Sequence, residues 1–120
     1  MSQKLLVITT NGPENPELAT IPFVVSTAAQ SMGMEVVIVF QSNSVSLMKK
    51  GEAEKIHLSS FPPLVDLLKI FIEQNGKLLV CSPCLKERKI VPEDLNPGAV
   101  IIASGTLVKE LSEADKVISY

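Results

Sequence analysis

The sequence predicts an α/β protein: a three-layer α/β/α sandwich built on a mainly parallel sheet of about five strands. Short aliphatic runs alternate along the chain with longer segments of helical character, which is typical of βαβ crossovers. The aliphatic runs are continuously apolar rather than alternating, as in strands that are covered on both faces. Turn-forming residues separate the two kinds of segment, so we expect helices on both faces of the sheet.

The predicted strands share a short aliphatic core bounded by turn formers. They are residues 5–8, residues 35–40, residues 77–80, residues 99–103, and a last segment at Val117 and Ile118.

The first predicted helix has two candidate starts, Asn15 and Thr20, because each precedes an early proline. Pro22 would disrupt a helix interior, which favours the later start or a kink. We expect this helix to end at Met32, with Gly33 as its left-handed stop. The other predicted helices begin at turn or cap residues: a short piece through Leu47 to Gly51, a buried helix opened by Pro62 and Pro63 and ended by Asn75 and Gly76, a short helix after Ser82, and a last helix opened by Ser104.

Length and charge exclude several classes of function. With 120 residues we expect one domain, residues 1–120. The formal charge is −2, no basic run is present and there is a single tyrosine, which argues against a nucleic-acid surface. The longest apolar region, residues 21–40, is interrupted by Gln30, Gly33 and Glu35, and the first residues lack signal-peptide features. We therefore expect a cytoplasmic protein without a membrane partner.

The loop at residues 11–16 follows the first strand but has neither a glycine-rich dinucleotide fingerprint nor a Walker lysine. We therefore expect no nucleotide cofactor there. In a parallel sheet, functional groups gather beyond the carboxyl ends of the strands. We therefore expect the loops at Asn11 and Gln41 to lie at the same edge as the end of the third strand.

Both cysteines of the chain lie where that third strand becomes a helix. Ser82 is expected to cap the helix and Pro83 to occupy its first position. Cys84 then falls in the first turn and Cys81 just ahead of it, near unpaired N–H groups and the positive end of the helix dipole. Such positions favour a thiolate, as does the Cys-X-X-Cys spacing. We take Cys81 and Cys84 as the candidate site.

The residues alone leave several interpretations of this pair open. The two thiols could be small buried hydrophobes, or they could form a redox disulfide. Structural zinc needs four ligands, and one chain offers only the two cysteines and His57, so we expect no metal. In a reducing compartment a structural disulfide is disfavoured. His57 is expected to be a loop residue rather than a general base.

Three segments resemble the DsrE/DsrF family of small sulfur-relay proteins, which includes the DsrEFH and TusD-like subunits and whose layout is flavodoxin-like. The cysteine turn, residues 80–88, is the most specific of them. Residues 48–56 resemble the family segment after the second strand, and Leu111 with residues 114–117 resembles its C-terminal signature. Lys89 departs from the pattern, because relatives often carry a glycine there that ends the helix.

The resemblance implies a cytoplasmic protein that assembles with itself into trimers or hexamers and accepts sulfane sulfur as a cysteine persulfide. The family cysteine precedes a helical leucine by four residues, which matches Cys81 before Leu85, so Cys81 is the implied acceptor and Cys84 its partner thiol. Donor and acceptor proteins are implied partners, and the chain would be a sulfurtransferase or a relay subunit. Two alternatives stay open: a peroxiredoxin-like disulfide protein using both cysteines, and an oligomeric binding module with buried thiols. Lys86 either holds a thiolate or persulfide anion or belongs to a solvated polar face.

Overall fold

A five-stranded parallel sheet forms the centre of the computed structural model, which describes residues 2–120. Met1 lies outside the described residues, and it is the first residue of the segment that lacks signal-peptide features. The strand order is β4-β3-β2-β1-β5, and all neighbouring strands run parallel. This confirms the predicted sheet. The strands are β1 (Lys4–Thr9), β2 (Glu35–Phe40), β3 (Lys77–Cys81), β4 (Ala99–Ile102) and β5 (Lys116–Ser119).

Four α-helices connect these strands: α1 (Pro16–Ser31), α2 (Leu64–Glu73), α3 (Ser82–Glu87) and α4 (Ser104–Glu113). The helical piece predicted through Leu47 to Gly51 lies earlier, as a 3₁₀ segment at Ser42–Met48, and a second 3₁₀ turn follows at Ala53–Lys55. Between residues 2 and 120, no helix is both long enough and apolar enough to cross a lipid bilayer.

The first helix begins at the earlier of its two candidate starts, so the later start near Thr20 was wrong. Asn15 caps it, because its side-chain oxygen accepts a hydrogen bond from the backbone N–H of Leu18 at 3.2 Å. Pro16 at the first position then completes a favourable N-terminus. Pro22 lies buried inside the helix, where its ring removes one helical hydrogen bond.

The helical layers on the two faces of the sheet are unequal. From β1 to β4 the chain moves in one direction across the sheet, and right-handed crossovers place α1 and α2 on the same face. The larger core lies there, with Phe23 packed against Phe40 and Phe71 at ring-centroid distances of 6.0 and 6.1 Å. After β4 the chain crosses back to β5, so α4 covers the opposite face. That face holds a smaller core: Leu6, Val37, Val39, Leu79 and Ile102.

An ion pair attaches the C-terminal half of α4 to the start of β1. Lys4 Nζ lies 2.7 Å from Glu110 Oε1, and both side chains are almost fully buried. The Lys4 backbone N–H also donates to Asp115 at 2.7 Å. The hydrogen bond with Glu110 raises the pKa of Lys4, although burial opposes this. The other end of α4 begins two residues after β4 and so lies at the carboxyl edge of the sheet, beside the end of β3.

Candidate functional site

Both cysteines lie at the junction of β3 and α3, as predicted, but the helix begins one residue earlier than expected. Cys81 is the last residue of β3 and also the N-cap of α3, with φ −64° and ψ 119°. Ser82 is therefore the first helical residue instead of the cap, and Pro83 is the second. Cys84 lies in the first turn, in agreement with the sequence analysis.

The two sulfur atoms face each other, since Cys84 Sγ lies 2.7 Å from Cys81 Sγ. Both residues are free thiols and both are partly exposed in the single chain. The backbone N–H of Ser42, in the loop after β2, donates to Cys84 Sγ at 3.3 Å. Ser42 has a left-handed conformation, φ 55°. The arrangement is a dithiol whose second sulfur has a main-chain hydrogen-bond donor.

Arg88 connects the cysteine helix to the loop that carries Ser42. Its Nε and Nη2 donate to Asn43 Oδ1 at 3.0 and 2.8 Å, and its Nη1 donates to the carbonyl of Cys84 at 3.0 Å. Gly12, after β1, lies against the same loop so closely that a Cβ there would overlap the Asn43 carbonyl. The loops after β1, β2 and β3 therefore pack together at the carboxyl edge of the sheet.

The C-terminus of α3 explains how Arg88 is placed. Lys89 has φ 56°, the left-handed conformation for which relatives often use glycine. Its N–H bonds to the carbonyl of Lys86 at 3.1 Å, and the N–H of Ile90 bonds to the carbonyl of Leu85 at 3.0 Å, which together form a Schellman motif. The helix thus ends normally despite the missing glycine, with Arg88 as its C-cap.

Cys81 lies at a cavity between the sheet and the N-terminus of α4. The cavity measures about 160 Å³, and its surface is mostly apolar. Gln41 also contributes, which confirms that the loop after β2 reaches this edge. Cys84 is absent from the lining, which comprises Val39, Gln41, Cys81, Pro83, Ile102, Ala103, Ser104 and Leu107.

The expectation of thiolate-favouring surroundings does not hold for Cys81. Burial raises the pKa of the Cys81 thiol, and the hydrogen bond and charge of Cys84 add to the rise. The backbone N–H of Cys84 and the guanidinium of Arg88 act in the opposite direction but do not outweigh burial. The physical reason is that Cys81 lies ahead of a helix of six residues, beside apolar side chains, so desolvation dominates over the helix dipole.

A family model described as the DsrE/DsrF-like family matches residues 3–120. The chain belongs to the DsrE/DsrF-like family. The match includes every strand and helix of the fold and all three segments that carry the resemblance. The family prediction is thereby confirmed.

Two proteins of Methanocaldococcus jannaschii are similar in sequence to this DsrE/DsrF-like chain. MJ0989 is 32% identical over 117 residues, which are 98% of this chain and 99% of that protein. MJ0760 is 29% identical over 110 residues, which are 92% of this chain but 40% of that protein.

Solved structures share the DsrE/DsrF-like fold of this chain. The YchN protein of Escherichia coli superposes with a TM-score of 0.82 at 19% identity and full coverage of both chains. MTH1491 of Methanobacterium thermoautotrophicum superposes with a TM-score of 0.72 at 14% identity, covering 99% of this chain and 100% of that one. At these identities the likeness concerns the fold, and it confirms the three-layer prediction.

Other residues considered from the sequence lie away from the sulfur atoms of this DsrE/DsrF-like protein. His57 is exposed in a separate depression beside Pro13 and Lys55. Lys86 is exposed and makes no contact with either sulfur among the hydrogen bonds of residues 2–120. Arg88 is a cation that does contact the cysteine turn, through the carbonyl of Cys84. Within the part of the chain that the structure describes, no group of three His, Cys, Asp or Glu could hold a metal.

Proposed function

We propose that this protein is a sulfur carrier that accepts sulfane sulfur as a persulfide on Cys81, with Cys84 as the partner thiol. The observation that supports this most directly is the position of Cys81, beside a cavity of about 160 Å³ and 2.7 Å from a second thiol. Membership of the DsrE/DsrF-like family is consistent with a sulfur-relay role in general.

The cavity favours Cys81 over Cys84 as the acceptor. A sulfane sulfur atom is small and weakly polar, so the lining of Val39, Ile102 and Leu107 suits it better than open water. An apolar cavity of about 150 Å³ is large enough for a molecule of benzene. The space at Cys81 therefore accommodates the added sulfur atom together with the reacting end of a donor.

The proton on Cys81 sets the pH dependence of loading. Because burial raises the pKa of Cys81, the thiol is its resting form, and it must lose a proton before it attacks. A thiolate of higher pKa is also intrinsically the stronger nucleophile. We therefore expect the loading rate to rise as the pH increases through the alkaline range.

Two single-thiol variants test the proposal, because the chain contains only these two cysteines. Cys84→Ser and Cys81→Ser are incubated without oxygen with a glutathione persulfide donor, separated from it, and weighed by intact-mass spectrometry. We expect Cys84→Ser to gain one sulfur atom that dithiothreitol removes, and Cys81→Ser to gain far less. Equal loading of the two variants, or no loading of Cys84→Ser, would contradict the proposal.

Thiol–disulfide exchange is a second candidate function, favoured by the 2.7 Å separation of the sulfurs and by the Ser42 N–H at Cys84. It predicts that the wild-type protein cycles between a dithiol and a form two hydrogen atoms lighter when it is given an oxidant and then a dithiol reductant. It also predicts no uptake of sulfur by the Cys84→Ser variant, which separates it from the carrier proposal.

We also propose that the protein is cytoplasmic and associates with itself. The free thiols suit a reducing compartment. Several large apolar side chains are exposed on β4, α4 and β5, and such surface marks interaction sites. They are Val100, Ile101, Val108, Leu111, Val117 and Ile118. Sedimentation equilibrium should give a trimer or hexamer, and replacing Val108 with glutamate should weaken it. A monomer at all concentrations would contradict this part of the proposal.

A further inference from the structure

The second thiol lies where it can react with a persulfide on the first. Cys84 Sγ is 2.7 Å from Cys81 Sγ, the atom to which a sulfane sulfur would be bonded. Because Cys84 does not line the cavity, the terminal sulfur of a Cys81 persulfide would extend into the cavity, away from Cys84. The inner sulfur is therefore the atom within reach of Cys84.

We infer that Cys84 attacks the inner sulfur of the Cys81 persulfide, so that the protein releases its sulfur as hydrosulfide and is left with a Cys81–Cys84 disulfide. The inference rests on the proposed function and adds the product that leaves the site. It makes the protein a persulfide reductase in addition to a carrier.

The step balances without an external oxidant. A bond forms between Cys84 Sγ and Cys81 Sγ while the bond from Cys81 Sγ to the terminal sulfur breaks. The terminal sulfur leaves the apolar cavity as hydrosulfide, with the electron pair of that bond and its own proton, and the Cys84 proton passes to solvent. A neutral persulfide and a thiol thus give a disulfide, hydrosulfide and a proton. The sulfane sulfur is reduced and the two cysteine sulfurs are oxidised. A dithiol reductant then restores both thiols.

The surroundings of Cys84 support its role as the attacking group. The Ser42 N–H, 3.3 Å from Cys84 Sγ, can hold the negative charge that develops there as the proton leaves. Arg88 keeps the donor in place, because its bonds to Asn43 and to the Cys84 carbonyl join the loop to the helix. Among the hydrogen bonds of residues 2–120, Cys81 Sγ accepts none from the backbone of another loop, whereas it has the cavity through which hydrosulfide can leave.

A single-turnover experiment compares the wild-type protein with Cys84→Ser. Both are loaded without oxygen with glutathione persulfide, freed of donor by rapid gel filtration, and followed by intact mass under non-reducing conditions, while bimane trapping measures sulfide. We expect the wild type to release one sulfide per chain and to become two hydrogen atoms lighter than the reduced protein. Cys84→Ser should retain its added sulfur at least tenfold longer.

The outcomes separate this inference from the proposed function. If Cys84→Ser loads and the wild type retains its added sulfur for as long as the variant does, the inference is overturned and the carrier proposal stands. Equal release of sulfide by both proteins would also overturn the inference, because the second thiol would then be unnecessary. If Cys84→Ser takes up no sulfur, the proposed function itself fails. Cys84→Ala is a control for an effect of the serine hydroxyl, and it should behave like Cys84→Ser.

Discussion

Lys89 ends the cysteine helix in a left-handed conformation, φ 56°, and its replacement by glycine should stabilise the protein. A non-glycine residue in this conformation costs about 1–2 kcal/mol. Glycine also increases the entropy of the unfolded chain, which removes about 0.4–1 kcal/mol of that gain. Loss of an exposed cation at the helix C-terminus removes about 0.3 kcal/mol more. The expected net stabilisation by Lys89→Gly is about 0.5 kcal/mol.

Lys86 provides a matched control, because it lies three residues earlier in α3 with right-handed helical geometry and is also exposed. Lys86→Gly removes the same side chain and adds the same freedom to the unfolded state, but it relieves no strain. It should therefore destabilise the protein by about 1 kcal/mol through helix propensity. The two variants should differ in the free energy of unfolding by about 1.5–2 kcal/mol.

Urea denaturation followed by circular dichroism measures this difference, with thermal melting as a second readout. For a chain of this length, about 1 kcal/mol corresponds to a shift of roughly 4 °C in Tm, so the two variants should melt about 6–8 °C apart. The midpoint for Lys89→Gly should be the higher. If both variants shift in the same direction by the same amount, the left-handed backbone at Lys89 carries no strain and the reasoning is refuted.

Three further predictions concern the site, the core and the ion pair. In the Cys84→Ser variant, the pH midpoint of Cys81 alkylation should be higher in the folded than in the denatured state, because burial raises the pKa of that thiol. Equal midpoints would contradict this prediction. Gly76→Ala should lower the free energy of unfolding by about 1–3 kcal/mol, since a Cβ there would overlap the buried ring of Phe71; an unchanged urea midpoint would show that the ring moves aside. Lys4→Met should cost about 3 kcal/mol by leaving Glu110 buried without its partner. Because the pKa of Lys4 is raised in the folded state, the wild-type advantage should be complete below pH 10.5 and decline above it, and a constant difference in unfolding free energy across that range would contradict the assignment.

The sequence was sufficient to predict the elements of the fold because their signals are local. Continuous aliphatic runs marked all the strands, and the stop at Gly33 and the start at Pro63 were correct since each depends on adjacent residues. The later candidate start of α1 was wrong because it rested on the cost of proline in an isolated helix. In the folded protein the Asn15 cap and the burial of Pro22 together favour the longer helix.

The candidate site was predicted only as far as its cysteines. Cys81 and Cys84 lie three residues apart in the sequence and reveal their spacing directly. Ser42, which donates to Cys84, is 42 residues away from it, and Asn43, which accepts from Arg88, is 45 residues away from that arginine. The donor from Ser42 is a main-chain N–H, which leaves no trace in the residue type. Arg88 was visible as a cation after the cysteines, but its orientation depends on the left-handed end of α3. The contact between Arg88 and Asn43 forms only when the loops pack together in the folded chain.

The cavity at Cys81 follows from the order of the strands, which residue patterns do not give. The return from β4 to β5 places α4 alone on one face of the sheet, whereas α1 and α2 share the other. A single helix held at its far end by Lys4 does not fill the carboxyl edge, so the end of β3 opens into an apolar space. The same apolar surroundings that raise the pKa of Cys81 also provide room for a sulfane sulfur. The strand order thus explains why the sulfur beside the cavity rests as a thiol.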